Sequence, residues 1–158
     1  SNLLQYRPTV NRGNASEIIA LAKANEATTK GVDSTAESTE AIDAAKSLHL
    51  QYGSVVCISG ETDIIIDGVQ TICIRNGHPL MTKVTGLGCS ASAIVGAFIG
   101  VVENKIEAVA AAMCLLGIAG EMAMRQSAGP GSLQMHLLDK LYNLTEQEFI
   151  SNVKAARQ

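Results

Sequence analysis

Five consecutive residues, Val55-Val56-Cys57-Ile58-Ser59, restrict this chain to few folds. The first four are apolar, most of them β-branched, and no polar residue alternates with them before Gly60-Glu61 ends the run. A strand apolar on both faces needs cover on both, which is the situation inside a parallel sheet flanked by helices. The preceding stretch fits that picture. Thr35 to Gln51 reads as a helix with Ala36, Ile42, Ala45 and Leu48 along one stripe. An α/β protein follows. In an open α/β sheet the ligand crevice lies beyond the carboxyl ends of the strands, where Ser59, Gly60 and Glu61 emerge. Ser59 is also open to a plainer reading as a turn hydroxyl.

A length of 158 residues suits one domain, and 47% hydrophobic against 17% charged residues is ample for a core. A net charge of -3 offers no basic field for nucleic acid, and 3% aromatic residues give few stacking platforms for single strands. Cys57, Cys73, Cys89 and Cys114 have no CxxC spacing, which fits a reducing compartment, by default the cytoplasm, better than a disulfide scaffold or zinc site. The apolar stretch Ala91 to Val102 is too short and too rich in Gly and Ala to span a bilayer, and no membrane role is expected.

Arg7 to Val10 predicts a short strand entering a loop at Arg12-Gly13. Asn14, followed three residues later by Glu17 and by the apolar Ile18, Ile19, Leu21 and Ala22, predicts a capped helix. Capping alone accounts for both polar residues. Arg12 and Gly13 beside that helix start also suit a phosphate and, through water, a magnesium ion; the two roles are compatible. Lys23 to Ser34 reads as a polar connection. Ile64–Ile66 and Val69–Ile74 flank Asp67-Gly68, a strong hairpin signal. Asn76 to Pro79 is a second turn, with His78 expected in solvent. Ile106 to Arg125 reads as a helix whose methionines fill the core. Gly129-Pro130-Gly131-Ser132 either starts a helix capped by Ser132 or borders a ligand. Ser132 to Asn143 and Thr145 to Ala156 are amphipathic helical segments, the second opened by a Thr145/Glu148 capping box.

The densest chemical signal is Thr82 to Gly100, TKVTGLGCSASAIVGAFIG. Gly86 and Gly88 bring a loop into an apolar helix beginning near Cys89. Backbone N–H groups at such a start, with the helix dipole behind them, form an anion site that glycine lets a phosphoryl group approach. A thiol at this position gains thiolate character and can serve as base or nucleophile. The same residues also fit a glycine turn before a helix carrying a core cysteine.

Taken together, Arg12-Gly13-Asn14-Ala15-Ser16-Glu17, Gly31-Val32-Asp33, Ser59-Gly60-Glu61-Thr62-Asp63 with Asp67-Gly68, Pro79 to Val84 leading into Gly86-Leu87-Gly88-Cys89 and Ser92-Ala93, and Gly129 to Ser132 resemble hydroxyethylthiazole kinases. The order holds along nearly the whole chain. The resemblance implies a ribokinase-like three-layer α/β/α sandwich, with residues 1–158 forming the C-terminal portion of one kinase domain and no counterpart for the family's N-terminal strands and helices. It implies transfer of the ATP γ-phosphate to the hydroxyl of 4-methyl-5-(2-hydroxyethyl)thiazole in thiamine salvage, with magnesium.

By that resemblance Arg12 and Ser59 bind ATP, Ser59 standing where threonine is common. Glu17, with Asn14, organises magnesium through water. Gly86 and Gly88 form the substrate and anion-hole loop, and Cys89 assists deprotonation of the substrate hydroxyl. A homotrimer is implied as well, and a separate N-terminal portion is one explanation of the length. Two departures stand out: Leu87 lies between the glycines where a small or hydroxylic residue is usual, and Asn11 precedes Arg12 where an apolar residue is usual. Two alternatives remain at this point, a hydroxymethylpyrimidine-type kinase and a catalytically silent fragment that completes a partner chain.

Overall fold

The computed structural model describes residues 2–24 and 37–158. Gly31-Val32-Asp33, most of the expected polar connection, and Thr35 and Ala36 of the expected helix lie outside them. The strands occupy the sheet in chain order: β1 (Val10–Asn14), β2 (Val55–Ser59), β3 (Asp63–Ile66), β4 (Thr71–Ile74) and β5 (Ala155–Arg157). The chain divides into two compact units, Ser1–Cys73 with Arg157–Gln158, and Ile74–Ala156.

In the first unit the apolar run is the strand the sequence predicts. β2 spans Val55–Ser59 with its first four residues buried, parallel to β1 and antiparallel to β3. Helices α1 (Ala15–Lys23) and α2 (Glu37–Tyr52) cover it. Ile18, Ile19 and Ala22 of α1 and Ala41, Ala45 and Leu48 of α2 form one buried cluster with Val56, Ile58 and Ile66. Burying each larger aliphatic side chain contributes about 1.5–3 kcal/mol before conformational entropy is counted.

Three expectations need correction in this unit. Arg12 and Gly13 belong to β1 rather than to a loop, because their backbone lies in register with Cys57 and Ile58. The strand therefore starts at Val10, and Asn2–Tyr6 is a short 3-10 helix. In the hairpin, β4 begins at Thr71 instead of Val69. Asp67 Oδ1 accepts from the N–H groups of Val69 and Gln70 at 3.1 and 3.0 Å, which widens the turn and leaves Val69 in solvent.

The second unit is helical: α3 (Leu87–Val101), α4 (Lys105–Met124), α5 (Pro130–Asn143) and α6 (Glu146–Asn152). α4 packs against α3, α5 and α6. By length and composition α4 could cross a bilayer, yet 67% of its apolar stretch is buried, as in the core helix of a folded unit. Met113 is part of that core. The 74–81 segment also lies close to α4: a Cβ on Gly117 would come within 2.6 Å of Asn76 Cβ and 2.7 Å of its backbone carbon.

Glu121 of α4 ties this segment down. Its Oε1 accepts from Gly77 N at 2.8 Å and from Asn76 Nδ2 at 3.2 Å, while Lys154 Nζ donates to Oε2 at 2.8 Å. Burial raises the Glu121 pKa, but the bonds from Lys154, Gly77 and Asn76 outweigh it and hold the group below the usual carboxylate range.

The helix boundaries bring further corrections. α3 begins at Leu87, so Gly88 and Cys89 occupy its first turn. α5 begins at Pro130, where the missing N–H costs nothing, and Ser132 sits inside the helix with its Oγ accepting from Gly129 N at 3.2 Å. The last helix stops at Asn152 and the chain continues as β5. Arg75 N donates to Lys154 O at 2.9 Å, and Gln158 N to Thr71 O at 2.9 Å.

Candidate functional site

The expected site residues fall in both units. In the first they gather at the carboxyl ends of the parallel strands β1 and β2, the side of an open α/β sheet where ligands bind. Parallel register sets Asn14 beside Ser59 and Arg12 beside Cys57. From two residues back, Arg12 reaches forward and donates from Nη1 to Ser59 Oγ at 3.0 Å. The two expected ATP-binding side chains are thus directly bonded across 47 residues of sequence.

At the end of β1, Asn14 caps α1 as the sequence predicts. Its Oδ1 accepts from Glu17 N at 2.9 Å, and Glu17 Oε2 accepts from Asn14 N at 2.8 Å. Glu17 also lies against Gly13, where an added Cβ would come within 3.0 Å of Oε2. Capping occupies part of this carboxylate, yet an ionised carboxylate has about four acceptor positions. Glu17 therefore keeps the capacity to hold a hydrated magnesium ion, which retains several waters and needs only one or two protein carboxylates beside substrate phosphates. Among the described residues no group of three or more His, Cys, Asp or Glu forms a metal cage.

Asp63, to which the sequence reading gave no role, closes the turn that follows Ser59. Its Oδ1 accepts from Gly60 N at 3.0 Å, and the residue is 8% exposed. Burial pushes its carboxyl up to about 6, although the Gly60 N–H and the Arg12 charge both favour ionisation. Neighbouring Cys57 is pushed up to about 12, mainly by burial, and is an inert core thiol. The signal for Asp63 was its place in Ser59-Gly60-Glu61-Thr62-Asp63; nothing local marks it as buried.

In the second unit the expected loop is built from backbone. Gly86 is the N-cap of α3 with φ 78°, a conformation that strains any residue with a Cβ. The helical ladder opens with Ser90 N donating to Gly86 O at 3.1 Å. Ahead of that bond Leu87 N donates to Val84 O at 3.4 Å, and the N–H groups of Gly88 and Cys89 lie at the positive end of the helix dipole. Cys89 is exposed at this end, whereas Cys57, Cys73 and Cys114 are buried; none of the four forms a disulfide. The core-cysteine reading of Cys89 therefore fails. Leu87 occupies the first helical position and is half-buried.

Helices over a partly parallel sheet, with polar side chains at the strand ends, make this an α/β protein, and the solved structure it matches gives it the ribokinase-like class. The overall fold matches the structure of hydroxyethylthiazole kinase protein from Pyrococcus horikoshii OT3 with a TM-score of 0.84 and 30% identity, over 98% of this chain and 57% of that one. The model of the hydroxyethylthiazole kinase family matches residues 1–147, and the chain belongs to that family. It is 56% identical to the hydroxyethylthiazole kinase of Syntrophus aciditrophicus over 93% of this chain and 54% of that relative. It is 46% identical to that of Arabidopsis thaliana over 98% of this chain and 56% of the relative. The chain thus spans about half the length of the curated relatives it matches. All of these relatives carry the hydroxyethylthiazole kinase name, and they lend no support to the hydroxymethylpyrimidine alternative.

Proposed function

We propose that this chain is the C-terminal portion of a kinase domain that transfers the ATP γ-phosphoryl group to the hydroxyl of 4-methyl-5-(2-hydroxyethyl)thiazole. Family membership supports the reaction, and the Arg12–Ser59 bond at the strand ends is the observation that carries the nucleotide assignment. Arg12 supplies a permanent charge and fixed donors for phosphate, and Ser59 a hydroxyl held in place by the same guanidinium. Gly86 and Gly88 permit close approach of a phosphoryl group to the backbone at the start of α3. Magnesium, held through water by Glu17 with Asn14, would neutralise phosphate charge.

In the transfer, the substrate hydroxyl oxygen forms a bond to the γ-phosphorus, the bond from that phosphorus to the bridging oxygen breaks, and ADP leaves. Cys89 sits beside the attacking hydroxyl and assists removal of its proton. Phosphoryl transfer depends mainly on positioning and charge neutralisation, so a thiol in this role suits a slow kinase. By resemblance to the family, a homotrimer in the cytoplasm completes the proposal.

The test is incubation with ATP, magnesium and hydroxyethylthiazole, followed by product mass. A gain of one phosphate that falls in both Cys89→Ala and Arg12→Ala supports the proposal. Turnover that persists unchanged in both variants would overturn the assigned roles. If the chain alone is silent, supplying the remaining part of a full-length relative in trans separates a fragment that needs completion from one with no catalytic capacity.

A further inference from the structure

We propose that Asp63 is a positioning residue for the nucleotide: its carboxylate holds the Ser59–Gly60 turn so that the Ser59 hydroxyl stays where Arg12 meets it. This rests on the nucleotide site proposed above. Ser59 is the last residue of β2, and the chain must reverse between it and Asp63, the first residue of β3. Beyond Ser59, β2 no longer has a β1 partner to fix its backbone. The antiparallel register with β3 resumes only at the Ile58–Ile64 pair. The bond from Gly60 N to Asp63 Oδ1, at 3.0 Å, closes the intervening turn.

Asp63 is buried, so its acceptor oxygen meets little competition from water, and the turn keeps one arrangement. The consequence passes to the neighbouring residue. Arg12 Nη1 meets Ser59 Oγ at 3.0 Å; a turn no longer closed at Gly60 would let the Ser59 backbone shift, and its hydroxyl with it, away from the guanidinium. Asp63 acts through Ser59 and Arg12, without touching the nucleotide.

The test compares Asp63→Ala with Asp63→Asn, since an asparagine carbonyl can still accept the Gly60 N–H. Binding of a non-hydrolysable ATP analogue is measured on the same chain by titration, with Arg12→Ala as the reference for the nucleotide site. In parallel, hydrogen exchange at the Gly60 amide and the side-chain NMR signals of Arg12 are followed without nucleotide. Asp63→Ala is expected to expose the Gly60 amide, shift the Arg12 signals and weaken analogue binding about tenfold. Asp63→Asn is expected to restore all three to near the parent values.

Unchanged Arg12 signals in a folded Asp63→Ala chain would overturn the positioning role even if no nucleotide binds. Equal weakening by Ala and Asn, with the Gly60 amide still protected in Asn, would also overturn it. Analogue binding that is insensitive to Arg12→Ala would count against the nucleotide site itself, a failure distinguishable from that of Asp63.

Discussion

The strand ends of the first unit and the start of α3 in the second are built by opposite means. At the strand ends side chains hold one another: Arg12 binds Ser59, Asp63 binds the Gly60 amide, and Asn14 and Glu17 cap each other. At the start of α3 the work falls to backbone, with Gly86 at φ 78° opening a helix whose first turn contains Gly88 and the exposed Cys89. Side-chain networks are lost by removing a functional group, whereas a backbone site is lost by adding a Cβ. The two regions should therefore respond to different substitutions and affect different kinetic constants.

The largest effect is expected at α3. In the enzyme that turns over thiazole, Cys89→Ala should lower kcat by about 10²-fold or more, the usual range for a group that assists proton transfer, while KM for ATP stays near the parent value. Arg12→Ala should do the reverse and raise KM for ATP. Steady-state kinetics with each substrate varied in turn checks both.

The next effect concerns pH. Asp63 titrates at about 6 in the folded chain against 3.8 ordinarily, so the folded state holds its proton more tightly than the unfolded state. Its favourable contribution is complete below 3.8 and is lost as pH rises through about 6; the change is on the order of 3 kcal/mol. Denaturant titrations between pH 4 and pH 7 should show this fall, and Asp63→Asn should remove it.

Gly117→Ala should destabilise the second unit by about 1–3 kcal/mol, because the new methyl meets Asn76 Cβ and backbone. Thermal unfolding followed by circular dichroism reads this directly. The smallest effect is a gain. Asn11 Nδ2 is buried with no hydrogen-bond partner, so Asn11→Val should raise stability by about 1 kcal/mol. The same denaturant titration measures it.

Local pattern made much of this legible. The uninterrupted apolar run predicted β2 to the residue, and the spacing of Asn14 and Glu17 predicted the cap of α1. Long-range pairing decided what pattern misread. Arg12-Gly13 looks like a loop until β2 pairs with it, and Ala155-Ala156 ends a helical pattern until backbone bonds at the end of the chain make it part of a strand. Asp63 stands within its motif, but its burial depends on elements distant in sequence and has no local signature. The Arg12–Ser59 bond lies beyond local pattern for the same reason, although the resemblance to a family points to both residues.

The most direct test of the division between the two regions is equilibrium binding of a non-hydrolysable ATP analogue to the parent chain, Arg12→Ala and Cys89→Ala. Arg12→Ala should lose about tenfold in affinity, the scale of one charge-assisted phosphate contact, while Cys89→Ala should bind as the parent does. Strong loss in Cys89→Ala with Arg12→Ala unaffected would contradict the assignment of the nucleotide to the strand ends and of the chemistry to the start of α3.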